Sequence, residues 1–258
     1  MRSVFRPFVL AAMCVLAAIG ESVTQPADTS LTGEEIVRRA DKVMRGESSR
    51  SELTMTIVRP NWRRSISMKN WTKGNRYSLV FITAPPREEG QAFLKRGVEM
   101  WHWVPSISRM IKIPPSMMSQ SWMGSDFTNE DLLRESSIVT DYTHTLLGID
   151  TVDGREAYKI RSIPRPDAPV VWSKVLLWID TDNFTQIRTE DYDEDSTLVN
   201  VMTFSEVREM DGREIPTRMV MVPQDEPEHK TILEIEDMEF NVDVDDSFFS
   251  QSNMRRLR

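Results

Sequence analysis

From Leu53 onward, apolar residues recur at every second position in short runs separated by turn signals. A chain patterned this way is committed to half-buried antiparallel strands. Leu53, Met55 and Ile57 alternate with Thr54 and Thr56, and Ile66 and Met68 alternate with Ser65, Ser67 and Lys69. Tyr77, Leu79 and Phe81 follow the turn at Lys73-Gly74-Asn75, so these three runs predict a meander. Further strands are expected over residues 91–95 and 100–104, with 109–113 as the hairpin mate of the latter. The pattern resumes over 141–149, 158–163, 172–179, 185–192, 197–208, 215–222 and 230–240. Asp153-Gly154 and Asp211-Gly212 are two-residue hairpin signals, because such turns need positive φ at both positions. A sheet of so many twisted strands must curl, and its concave face then needs a cover.

Helical signals are few. Leu31, Ile36, Val37, Ala40, Val43 and Met44 fall on one face at helical spacing, with Thr32 and Glu35 as a capping box and Gly46 as a stop. Between residues 116 and 135 the alternation lapses, which predicts short helices interrupted at Gly124. Asp126 is a candidate cap there, and Thr128 with Asp131 forms a second capping box before Leu132-Leu133. These helices are the expected lid over the sheet.

The N-terminus points to export. Arg2 and Arg6 precede an apolar run over residues 8–19, too short to span a bilayer. Ala18-Ile19-Gly20 supplies the small residues of a cleavage site, so residues 1–20 read as a signal peptide cut after Gly20. Residues 21–30 read as a flexible leader, and 31–258 as a single domain. Cys14, the one cysteine, lies inside the signal. The mature chain therefore has no disulfide or thiol chemistry, which suits the bacterial periplasm. Losing Arg2 and Arg6 takes the formal charge from −8 to about −10. That argues against nucleic acid and against anionic membrane surfaces, and no second apolar run is long enough for stable membrane insertion. The local groups Arg59, Arg63, Arg64 and Arg255, Arg256, Arg258 read as solvated edges.

No constellation for catalysis is present in the sequence. His102, His144 and His229 are isolated from one another and from any nucleophile, and read as structural. The runs around Asp191-Asp193-Glu194-Asp195 and Asp243-Asp245-Asp246 lack the fixed glycine and distal Glu of a calcium loop, and read as solvated turn acids. There is no Gly-x-Ser-x-Gly elbow, phosphate loop or dinucleotide fingerprint. The expectation is a non-enzymatic protein with no cofactor and no metal.

Residues 97–133 concentrate Met100, Met110, Met117, Met118 and Met123 with Trp101, Trp103 and Trp122, in a chain with 16 Met. Met is an adaptable filler, over-used on surfaces that accept varied apolar partners, so composition leaves both an ordinary core and an apolar cavity open. The phrases Met100-Trp101-His102-Trp103-Val104-Pro105, Arg109-Met110-Ile111-Lys112-Ile113-Pro114-Pro115 and Ser121-Trp122-Met123-Gly124-Ser125-Asp126-Phe127 resemble the hallmark of the outer-membrane lipoprotein-sorting protein family of the LolA-like superfamily. The resemblance covers essentially the whole mature chain, including Thr32-Gly33-Glu34-Glu35-Ile36, residues 176–180 and the closing Asp245-Asp246-Ser247-Phe248-Phe249.

What it implies is an α+β, mainly antiparallel fold: a strongly bent, unclosed β-barrel with its concave face covered by a few short helices. It further implies a periplasmic carrier that takes acyl chains of a lipoprotein or another lipid for transfer toward the outer membrane. An inner-membrane transporter of the resistance–nodulation–division or ABC class is the implied partner. The alternative is a periplasmic lipid- or protein-sensing module associated with an inner-membrane exporter. The expected lipid-binding residues are Met55, Met68, Leu79, Phe81 and Met100 on the wall, and Met117, Met118, Trp122 and Met123 on the lid. This assignment depends on strand parity, since a one-residue slip sends every side chain to the opposite face.

Overall fold

A computed structural model describes residues 31–133, 137–168 and 170–257; the proposed signal peptide and leader lie outside them. Helix α1 (Gly33–Arg45) opens the described chain. Thr32 caps it, its hydroxyl accepting from the Glu35 amide at 3.2 Å. Acidic Glu34 and Glu35 in the first turn and basic Lys42 and Arg45 in the last match the helix dipole. Ile36, Val37 and Ala40 form its buried face. Gly33 permits close contact with the sheet, because a Cβ there would stand 2.8 Å from the His144 carbonyl oxygen.

The remainder is dominated by one 13-stranded antiparallel sheet. The first six strands run as a meander: β1 (Ser48–Arg59), β2 (Trp62–Lys73), β3 (Tyr77–Ala84), β4 (Ala92–Arg96), β5 (Glu99–Val104) and β6 (Arg109–Ile113). The last seven do the same: β7 (Tyr142–Val152), β8 (Arg155–Pro164), β9 (Lys174–Asp180), β10 (Gln186–Tyr192), β11 (Leu198–Met210), β12 (Arg213–Pro223) and β13 (Lys230–Phe240). β13 pairs with β1, with Leu53 opposite Ile235 and Met55 opposite Leu233, so the two meanders become one sheet that β6 and β7 terminate. The β7–β8 and β11–β12 turns carry the expected positive φ, at Asp153 (52°) and Gly154 (79°) and at Asp211 (46°) and Gly212 (73°).

The sheet is strongly bent and unclosed. β3 and β9 are seven strand spacings apart in the order of the sheet, which laid flat would be about 34 Å. Val80 of β3 and Leu177 of β9 nevertheless line the same cavity.

Each face of the bend has its own cover. On the concave side lie α1, α2 (Asn129–Leu133), α3 (Ser137–Asp141) and the loop before them. On the convex side the C-terminal segment, including α4 (Gln251–Met254), packs Phe249 and Met254 against Leu79, Phe81, Ala92 and Leu94. The closing Phe248-Phe249 pair therefore seals the back of the sheet.

The segment expected to be helical from residue 116 is only partly so. After a single 3₁₀ turn at Pro115–Met117, residues 118–128 fold as a loop closed by a bridge between Ser121 and Thr128. Positive φ at Met123 (51°) and Gly124 (80°) breaks the helical path. Asp126 is not a helix cap; its carboxylate goes to Arg59 and Thr231 instead. The Thr128–Asp131 box does form in both directions: the Thr128 amide donates to the Asp131 carboxylate at 2.7 Å, and the Asp131 amide to the Thr128 hydroxyl at 3.2 Å.

Candidate functional site

Between the concave face and its cover lies a cavity of about 230 Å³. Its apolar wall is built by the inward positions of strands from both halves of the chain: Leu53, Met68 and Val80, then Leu233, Met219, Met221, Met202, Phe204 and Leu177. α1 adds Val37, Ala40 and Met44, and the cover adds Trp122, Phe127, Leu132 and Ile138. Six of the 16 methionines line it. Thioether side chains have soft, adaptable rotamers, so this wall can fit apolar ligands of differing shape.

The wall is not uniformly apolar. Ser49, Ser51, Asn70 and Thr72 of β1 and β2 reach it, with the Ser49 and Thr72 hydroxyls hydrogen-bonded to each other at 2.7 Å. Asp41 and Arg45 of α1 also line it, as an ion pair one helical turn apart at 2.9 Å. A third polar region gathers Glu130, Asp131, Tyr142 and Asp191. The loop before β9 ties two of these acids: the Trp172 indole N–H donates to Asp131 at 2.9 Å, and the Val171 amide donates to Glu130. Tyr142 donates its hydroxyl to the Trp172 carbonyl at 3.1 Å. Burial pushes the Asp131 carboxyl above its ordinary value. Asp191 is raised well above its own, first by burial and then by the like charges of Asp131 and Glu130. Burial and the same acids raise the Tyr142 phenol. Asp191, expected in a solvated turn, is thus a buried residue of β10, whereas Glu194 and Asp195 beyond it are exposed.

Of the nine residues expected to bind lipid, Met68 and Trp122 line the cavity. Met55, Met100 and Met118 are buried in the hydrophobic cluster that contains both, behind the lining, and Met117 and Met123 pack against that cluster. Leu79 and Phe81 are a correction. They face the convex side and bury against Phe249 and Met254, while Val80 between them takes the cavity position. The parity of β3 is the cause: Leu79, Val80, Phe81 and Ile82 are all buried because both faces of the strand are covered. The lining methionines of the C-terminal half were also missed. Met219 and Met221 carry the period-two signal, but nothing local in the sequence distinguishes them from ordinary core residues.

The cover is pinned to the sheet rather than merely packed on it. Arg59 holds Asp126 with two hydrogen bonds, of 2.8 and 3.1 Å, and Thr231 donates to the same carboxylate at 2.6 Å. Arg64 donates to the Met123 carbonyl. Two members of the arginine group read as a solvated edge are therefore anchors, while Arg63 is exposed. Among the described residues no cluster of three or more His, Cys, Asp or Glu could hold a metal, and no helix is long and apolar enough to cross a membrane.

A family model described as "Uncharacterized protein" matches residues 74–256. Among solved structures, the chain is similar to a DUF1329 family protein from Desulfovibrio piger, at 27% identity and a TM-score of 0.78 over 86% of this chain and 97% of that one. It is similar to a LolA superfamily protein from Nitrosomonas europaea, at 26% identity and a TM-score of 0.76 over 87% of this chain and 100% of that one. A putative outer membrane lipoprotein-sorting protein domain from Vibrio parahaemolyticus shares the fold at 20% identity, with a TM-score of 0.76 over 87% and 98%. No curated protein matches the sequence.

Proposed function

The chain belongs to this uncharacterised-protein family and shares the fold of a LolA superfamily protein, and from that premise we propose that it is a non-enzymatic carrier of lipid acyl chains. The observation that carries the reading is the Met-rich cavity between the bent sheet and its pinned cover. Each methylene moved from water into such a space gains about 0.8 kcal/mol, so a chain of about fifteen carbons is worth on the order of 10 kcal/mol before other costs. A carrier must hold this much and still release it, and an adaptable wall serves both needs better than a rigid one.

In this reading residues 1–20 are the signal peptide, 21–30 a leader and 31–258 the lipid-binding domain. The protein works in the periplasm, receiving a lipoprotein or other lipid from an inner-membrane transporter of the resistance–nodulation–division or ABC class and passing it toward the outer membrane. Met68 and Trp122 contact the acyl chain; Met55, Met100, Met117, Met118 and Met123 shape the wall and cover from behind.

Native mass spectrometry of protein isolated from the periplasm tests the proposal. A co-purifying lipid is the expected result, and its mass identifies the cargo. Protein that carries no lipid and takes up no neutral acyl probe would refute the carrier. Met68→Asp should abolish probe uptake by placing a charge in the apolar wall.

A further inference from the structure

Asp191 is 5% exposed and lines the cavity from β10, yet among the described residues its carboxylate makes no hydrogen bond or ion pair. Leaving a buried carboxylate without a donor is costly, and an apolar residue such as Leu would have avoided the cost. Its acidic neighbours are differently placed: Glu130 accepts from the Val171 amide, and Asp131 from Trp172 and Thr128. Arg45, the cation among the described lining residues, does not serve Asp191, because Asp41 on its own helix engages it through bonds of 2.9 and 3.2 Å. A second group is also left open. Trp122 is 1% exposed, lines the same cavity, and its indole N–H has no acceptor among the described residues. The cavity thus offers an unmet acceptor inside an acidic field, set into an otherwise apolar wall.

We propose that Asp191, flanked by Glu130 and Asp131, is a head-group site that accepts a hydrogen bond from a hydroxyl or ammonium on an otherwise apolar ligand and turns away anionic amphiphiles. This rests on the carrier reading and narrows it to a class of cargo. The chemistry follows from charge. A hydroxyl or ammonium satisfies the carboxylate, and an ammonium also offsets the like charges of Asp131 and Glu130 that act on Asp191. A carboxylate or phosphate head would add like charge to a desolvated acidic site. The raised proton affinity of Asp191 reports the same field.

Three probes with one tail test it: dodecylamine, dodecanol and dodecanoate, titrated calorimetrically into the mature protein at neutral pH. Dodecylamine and dodecanol should each bind at least about tenfold more tightly than dodecanoate. Asp191→Asn should bring the three within about threefold of one another. Glu190→Gln, one residue along and bonded to Arg188 and Tyr192 away from the cavity, should leave the ranking intact. The wild-type ranking alone decides the matter if Asp191→Asn fails to fold. Equal binding of all three, or a preference for dodecanoate, overturns the head-group site while leaving the carrier standing. Binding of none overturns the carrier, and the head-group site with it.

Discussion

His102 lies on β5 with its ring stacked on Phe93, centroids 4.1 Å apart, and its Nε2 2.8 Å from the Gln91 side-chain oxygen. The neutral ring donates there, and burial lowers its pKa from 6.5 to about 4. The folded state therefore resists protonation that the unfolded chain accepts, so this contribution to stability is complete above pH 6.5 and lost as pH falls toward 4. The loss amounts to at most about 3 kcal/mol. Urea unfolding of His102→Gln across that window should show a shallower pH dependence than wild type; parallel curves would remove His102 from the acid response. Strand β3, two strands along the sheet, shows where side-chain direction could not be read. Leu79 and Val80 look alike in sequence because β3 is covered on both faces, which erases the alternation that reveals parity. The structure separates them by consequence. Leu79→Ala should destabilise the fold by about 2–5 kcal/mol through a cavity beneath Phe249, while the affinity of the folded protein for an acyl probe stays unchanged. A weakened affinity would mean that Leu79 does face the ligand.

The cover shows the same division between local and distant signals. The Thr128–Asp131 box was legible because its partners are three residues apart, and both of its bonds form. Asp126 was not, because Arg59 lies 67 residues earlier and Thr231 lies 105 residues later. No local pattern connects them. The Arg59 and Asp126 side chains are 12% and 7% exposed, so removing one partner strands a desolvated charge, at a cost of about 3–5 kcal/mol. Asp126→Ala should concentrate this cost in the cover: amides over residues 118–128 should exchange faster than those of the β1–β13 seam. Uniform acceleration through the whole sheet would show that the pair holds the fold and not the cover.

The strand succession was legible along most of its length, since period two is written into each run. The seam was not. Pairing of β1 with β13 brings Ser49 opposite Phe240, and a contact at that separation follows only from the closure of both meanders. The seam gives the site its character, because residues from both halves, such as Met68 and Val80 from one and Met221 and Leu177 from the other, line a single cavity. A ligand there touches strands that meet only once the whole sheet has formed, so it can bind the native state and not a half-folded one. Linkage then sets the size of the effect: free ligand at about 100-fold its Kd adds about 2.7 kcal/mol to stability. For a domain of this size that corresponds to a rise in Tm of roughly 5–10 °C. Melting the protein with dodecanol should shift one cooperative transition by about this much, and Met68→Asp should abolish the shift without dividing the transition. Two transitions, with the ligand moving only one, would assign the cavity to half of the chain and separate binding from closure of the seam.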